Sequence, residues 1–101
     1  MGESGIMISS IRICGINYQI VYKSNEDMNG LIGYANFNAQ EIGINTSHSS
    51  QTQKVALLHE IIHILSDVYN LKMEEDDVRI TTHAFLSLFA DNPDLIANII
   101  G

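Results

Sequence analysis

The hydrophobic period of this chain changes once along its length, and that change constrains the fold more than any other feature. Up to about residue 44, apolar residues recur at a spacing near two; from Val55 onward they recur at three and four. Ile11 and Ile13, then Ile16, Tyr18, Ile20 and Tyr22, are β-branched or aromatic and stand two apart within an apolar text spanning 6–22. They predict two short strands, with Gly15 and Asn17 marking the turn between them. After a polar stretch, KSNEDMNG over 23–30, residues 31–37 and 41–44 read as two more strands joined through Asn38, Ala39 and Gln40. A meander of three or four antiparallel strands is the simplest sheet they make. Strands gathered first and helices second predict an α+β architecture.

The period switches at TSHSS, residues 46–50. Ser50 followed by Gln53 matches a capping box, in which two side chains satisfy orphan backbone N–H groups at a helix start. Val55, Leu58, Ile62 and Leu65 then recur at helical spacing, with Leu57, Ile61, Ile64 and Val68 beside them. They predict a well-buried helix over 51–69, with Asn70 closing it. The acidic run Glu74, Glu75, Asp76, Asp77 suits a helix start, where the macrodipole favours carboxylates, and a second helix is expected over 75–90. Pro93 stops it, and residues 94–100 suggest a short third helix.

Chemistry enters on the first helix, in the run His59, Glu60, Ile61, Ile62, His63. Histidines four apart lie on one helical face, one turn apart, where both imidazoles can grip a single metal ion. Glu60 follows the first histidine directly, so its carboxylate is placed to take a proton from an attacking water rather than to ligate. Zinc in such a site lowers the pKa of water and polarises a carbonyl. Two histidines inside an apolar, capped helix would be costly to bury without a partner, which favours zinc over two ordinary surface residues.

Catalytic zinc commonly takes three protein ligands and keeps one position open. No histidine follows His63 closely, so the third ligand is expected from the second helix. His83 is the candidate, with Asp76 or Asp77 as alternatives and Glu74 and Glu75 also within the acidic run. Asp76, Ile80, His83 and Ser87 share one face at helical spacing, and His83 is flanked by Ala84 and Phe85. His48, in the loop before the first helix, reads as solvent-exposed.

The remaining properties bound the answer. At 101 residues the chain is the size of one domain, spanning 1–101, with residues 1–5 small, polar and expected to be flexible. Twelve acids against five bases give a formal charge of −7, which argues against nucleic acid as a partner, because phosphate binding needs a basic surface. A single cysteine, Cys14, excludes an internal disulfide and reads as a small core residue. The first residues lack the features of a signal peptide, and no apolar run reaches membrane-spanning length, so a cytoplasmic protein without a membrane partner is expected. Nothing in the sequence addresses oligomeric state.

The chain resembles the small, mobile-element-associated members of the ImmA/IrrE-type metallopeptidases, a branch of the HExxH zincins found on phages and conjugative elements. The resemblance rests on GINYQIVY, IGYANFNAQEIGIN, QKVALLHEIIHILSD and the acidic run leading to LFADNPDLI, of which LLHEIIH is the specific part. It implies a minimal zincin-like fold: a small antiparallel sheet packed on an HExxH active-site helix, and a second helix supplying the third ligand. It also implies a zinc peptidase acting on a protein or peptide substrate, some relatives being proteases that cut repressors. The family's third ligand is typically a glutamate on the second helix. From Val78 to Ala90 this chain has no carboxylate, so either an acid at the helix start or His83 takes that place. Two functions are expected to compete: a zinc endopeptidase with Glu60 as base, and a zinc-binding module that acts by occupying a host or phage protein.

Overall fold

A computed structural model describes residues 8–101. The expectation that residues 1–5 are flexible falls outside that range, as do Ile6 and Met7 of the first apolar stretch. Four strands and three helices follow in chain order: β1 (Ser10–Ile13), β2 (Ile16–Lys23), β3 (Gly33–Asn36), β4 (Glu41–Asn45), α1 (Ser50–Val68), α2 (Glu75–Asp91) and α3 (Leu95–Ile100). The α+β architecture expected from the change of period is thus the one formed.

The sheet is mixed rather than antiparallel. Its order is β1-β2-β4-β3, with β2 and β4 parallel and the two outer pairs antiparallel. The meander fails at one step because the chain between β2 and β3 is long enough to cross over. β3 therefore lands on the far side of β4 and becomes an edge strand. The β1–β2 turn is built by Cys14 and Gly15, both at positive φ (52° and 84°), the two-residue geometry that matches strand twist. Asn17 belongs to β2, and Cys14 is exposed at the turn rather than buried in the core.

Strand alternation puts Ile13, Tyr18, Ile20, Ile42 and Ile44 on one face of the sheet, where they meet Ala56 and Ile64 of α1. The cap of α1 lies one residue earlier than the spacing suggested. Ser49 is the N-cap and accepts from the Thr52 backbone N–H, and Tyr69 is the C-cap, followed by Asn70 at positive φ. α2 packs on α1 through Val78 and Thr82, both wholly buried. Among the described residues no helix is long and apolar enough to cross a membrane.

Two polar clamps hold the loops that flank α1. Asn45, fully buried at the end of β4, donates from Nδ2 to the Asn25 side chain (2.8 Å) and to the Leu31 carbonyl (2.9 Å), and its Oδ1 accepts from the Ser47 N–H (2.8 Å). With buried Met28 beneath, this fixes the 24–32 loop beside the helix. At the other end Ser66, also buried, accepts from the Met73 N–H at 3.0 Å through its Oγ, while its carbonyl accepts from the Leu71 N–H at 2.8 Å. This second clamp sets where α2 begins.

Candidate metal centre

His59 and His63 stand one turn apart on α1 with ring centroids 4.9 Å apart, half-buried, their Nε2 atoms aimed past the same side of the helix. The residue that meets them is Glu75. Its Oε2 lies 2.8 Å from His59 Nε2 and its Oε1 2.9 Å from His63 Nε2. The donor atoms of His59, His63 and Glu75 all fall within 4.8 Å of one another, a group of the size and composition that could hold a metal ion.

The donor set fits zinc. Two imidazole nitrogens and one carboxylate oxygen are a common catalytic combination, with bonds of about 2.0–2.2 Å, which separates tetrahedral neighbours by about 3.3 Å. The observed spacings are shorter by about half an ångström. The Glu75 side chain is 68% exposed, so rotation about its own bonds opens that gap without moving either helix.

His83, the sequence's candidate for third ligand, is exposed and is not brought to the histidine pair; nor are Asp76 and Asp77. The reasons are local. His83 lies eight residues beyond Glu75, about 12 Å further along the α2 axis at 1.5 Å per residue. Asp76 points outward beside Arg79, 3.5 Å away, and Asp77 turns back to accept from the Glu74 N–H at 3.0 Å, acting as a cap. The face that contains Asp76, Ile80 and His83 is the solvent face. The face turned toward α1 is Glu75, Val78, Thr82, an i, i+3, i+7 stripe. The signal in the sequence is apolar Val78 with Glu75 one turn before it; the burial that selects this stripe over the Asp76–His83 one comes from the packing on α1. His48 is half-buried rather than exposed and lies outside the cluster.

Glu60 lies on α1 between the two histidines in sequence, and only 8% of it is exposed. Its carboxylate leans toward the start of β3, where residue 33 is a glycine. A Cβ there would sit 3.4 Å from Glu60 Oε2 and 3.3 Å from the Ala56 Cβ. The tight approaches that glycine avoids are to the Ala56 Cβ and to the Gly43 carbonyl, both at 3.3 Å, so it serves the packing of β3 against α1 and β4. Burial pushes the Glu60 carboxyl above the ordinary carboxylate value; His59 and His63 pull it back, and Glu75 pushes it up further. A carboxylate raised toward the working pH is a better base than an exposed one.

An open depression of about 440 Å³ adjoins the cluster, walled by Leu31, Ile32 and Gly33 on one side and by Val55, Ala56 and His59 on the other, with Glu60 and Glu75 at its polar end. A second, of about 320 Å³, lies on the His63 side, bordered by Phe37, Asp67, Asn70 and Lys72. The edge strand β3 runs from one to the other.

The family model described as IrrE N-terminal-like domain, Peptidase_M78, matches residues 15–91, which reaches from the β1–β2 turn to the last residue of α2. No curated protein and no solved structure matches the chain.

Proposed function

This chain belongs to the Peptidase_M78 family of IrrE N-terminal-like domains, and from that premise we propose that it is a zinc-dependent endopeptidase with Glu60 as its general base. The observation that carries the reading is the convergence of His59, His63 and Glu75 beside a buried, pKa-raised glutamate. His59 and His63 would hold zinc from α1 and Glu75 from the first turn of α2, with His83 left outside. Zinc bound there supplies Lewis acidity, polarising the scissile carbonyl and making water a nucleophile near neutral pH.

The chain's own groups do the rest. Among the described residues no strand pairs with the outer edge of β3, and an extended peptide adds there as a fifth strand, which lays its carbonyls along the histidine face of α1. Glu60 takes the proton of the water that attacks the carbonyl carbon and passes it to the departing amine nitrogen. Burial limits the contact of this carboxylate with bulk water, while its place on the wall of the depression keeps it open to substrate. Membership of a peptidase family supports a protein or peptide as the substrate.

The test is zinc-loaded Glu60→Gln, which keeps shape and ligands but cannot accept the proton. It should bind zinc as the wild type does and lose hydrolysis of an unstructured polypeptide. Cleavage at the wild-type rate would defeat the mechanism. A second reading, a zinc-binding module that acts by occupying a partner, draws support from the apolar side chains that α2 and α3 expose, among them Ile80, Leu88, Ile96 and Ile99. A partner bound equally by wild type and Glu60→Gln, with no cleavage by either, would favour it.

A further inference from the structure

The inner stripe of α2 outruns the helix that covers it. Val78 and Thr82 are wholly buried against α1. Phe85 and Phe89, one and two turns further along the same face, are not: Phe85 is 42% exposed and Phe89 only half-buried. Their rings stack on each other instead, with centroids 5.8 Å apart. After a short joint at 92–94, α3 adds Ile96, Ile99 and Ile100, all exposed, and of its six residues only Leu95 is even half-buried. Among the described residues nothing covers this face.

Apolar side chains left in water cost free energy that a partner recovers. The exposed parts of Phe85, Leu88, Ile96, Ile99 and Ile100 come to roughly 500 Å², a patch of the size that marks an interaction site. Two features say what covers it. The first is shape: the early turns of the same stripe are covered by a helix, α1, and side chains at this spacing form ridges that another helix fits. The second is charge. From Ile80 to Ala90, and again across α3, there is no Asp, Glu, Lys or Arg, whereas Asp91 and Asp94 stand at the joint and Glu75, Asp76 and Asp77 at the far end of α2. Between Glu75 and Gly101 five acids meet one base, Arg79. An uncharged centre with an acidic rim is complementary to an apolar ridge flanked by lysine or arginine. A second copy of the chain would bring acidic rims together, and an anionic membrane surface would be repelled by the same acids.

We propose that the face formed by the last two turns of α2 and by α3 is a docking site for a basic amphipathic helix of another protein. This goes beyond the endopeptidase reading and does not depend on it. Phe85 stands ten residues past Glu75, about 15 Å along the α2 axis at 1.5 Å per residue, and docking there needs no hydrolysis. The partner's apolar ridge packs on Phe85, Phe89 and the isoleucines of α3, and its basic flanks pair with Asp91 and Asp94.

The probe is a fluorescein-labelled helical peptide with leucine at i, i+3, i+4 and i+7 and lysine on its flanks. One counterpart carries glutamate flanks on the same leucine face, and another has the lysine version's composition in scrambled order. By fluorescence anisotropy the full chain should bind the lysine-flanked peptide about tenfold or more tighter than either counterpart. Its margin over the glutamate form should narrow as salt is raised. Phe85→Ser and Ile99→Ser should each weaken that binding about tenfold, as truncated anchors do, while Ile16→Ser, a comparably exposed apolar residue on β2, leaves it unchanged. Ile99 is 73% exposed, so its change does not disturb the core. Asp91→Lys combined with Asp94→Lys should turn the preference over to the glutamate-flanked peptide, and Asp94 makes no side-chain cap bond for that change to remove. Equal affinities for the three peptides, or binding that survives both serine variants, would overturn the assignment. So would a dimer in sedimentation that Phe85→Ser dissolves, which gives the face to a second copy. Binding to phosphatidylcholine–phosphatidylglycerol vesicles that the same variant loses would overturn it too, giving the face to a membrane.

Discussion

The first and second helices bring ligands to the same point but are held in opposite ways. α1 buries Ala56, Glu60, Ile62, Ile64 and Ser66 and lies across the sheet, so its two histidines are set by the hydrophobic core. α2 buries only Val78 and Thr82, and shows Ile80, Phe85 and Leu88 to solvent. Its contribution, Glu75, sits in its first turn just after a connection containing two non-glycine residues at positive φ, Asn70 and Lys72. One half of the centre is therefore preorganised by packing, and the other is placed by a short loop and a single serine clamp. The difference teaches that the base and two of the three donors are set together by the core, whereas the third donor depends on a connection that can be loosened separately.

The largest expected effect lies entirely on α1. Glu60→Gln should lower turnover of an unstructured polypeptide by about 10²–10⁴-fold, the usual contribution of a positioned general base, with zinc content by elemental analysis unchanged. Loss of zinc in that variant would show that Glu60 helps to hold the metal instead.

Next in size is the contrast in packing. Ile64, wholly buried in α1, should cost about 2–5 kcal/mol when cut to alanine. Ile80, 57% exposed on α2, should change stability by no more than about 0.5 kcal/mol. Denaturant melts of the two variants measure this directly, and equal losses would mean that α2 is held by more than its inner stripe.

Metal affinity should respond to α2 and to its clamp. Glu75→Ala should weaken zinc binding about 100-fold in a competitive chelator titration, and Ser66→Ala, which frees the Met73 N–H and loosens the start of α2, by about 10-fold, the range seen when supporting partners of ligands are removed. His83→Ala should leave affinity where it was. A loss in His83→Ala with none in Glu75→Ala would restore the ligand suggested by the sequence.

The smallest effect concerns the metal-free fold. An acid whose folded-state pKa is raised destabilises the fold where it is ionised. For Glu60 the cost is absent below the ordinary value of 4.5, grows as pH rises through it, and is complete above the raised folded value. With zinc removed by chelator, Glu60→Gln should melt at a higher temperature than wild type at pH 7, and the gap should close as pH falls below 4.5. A constant gap across that range would assign the gain to packing instead of charge.

The sequence by itself determined what depends on local pattern. The change of period fixed strands before helices; the apolar stripe from Val55 to Leu65 fixed the buried helix; the i, i+4 spacing put His59 and His63 on one face. These follow from neighbours a few residues apart and hold in any fold that buries the stripe. Tertiary structure decided the rest. Whether β2 pairs with β4 in parallel depends on how a long connection crosses the sheet, which no period of two encodes, and that crossing is what leaves β3 as the free edge beside the centre. Cys14 reads as a core residue from its apolar neighbours, yet the turn that joins β1 and β2 turns it outward. The third member of the cluster turned on which side of α2 meets α1. His83 and Asp76 lie about a quarter turn round the helix from Glu75, and only the packing of Val78 and Thr82 against the first helix chose between them.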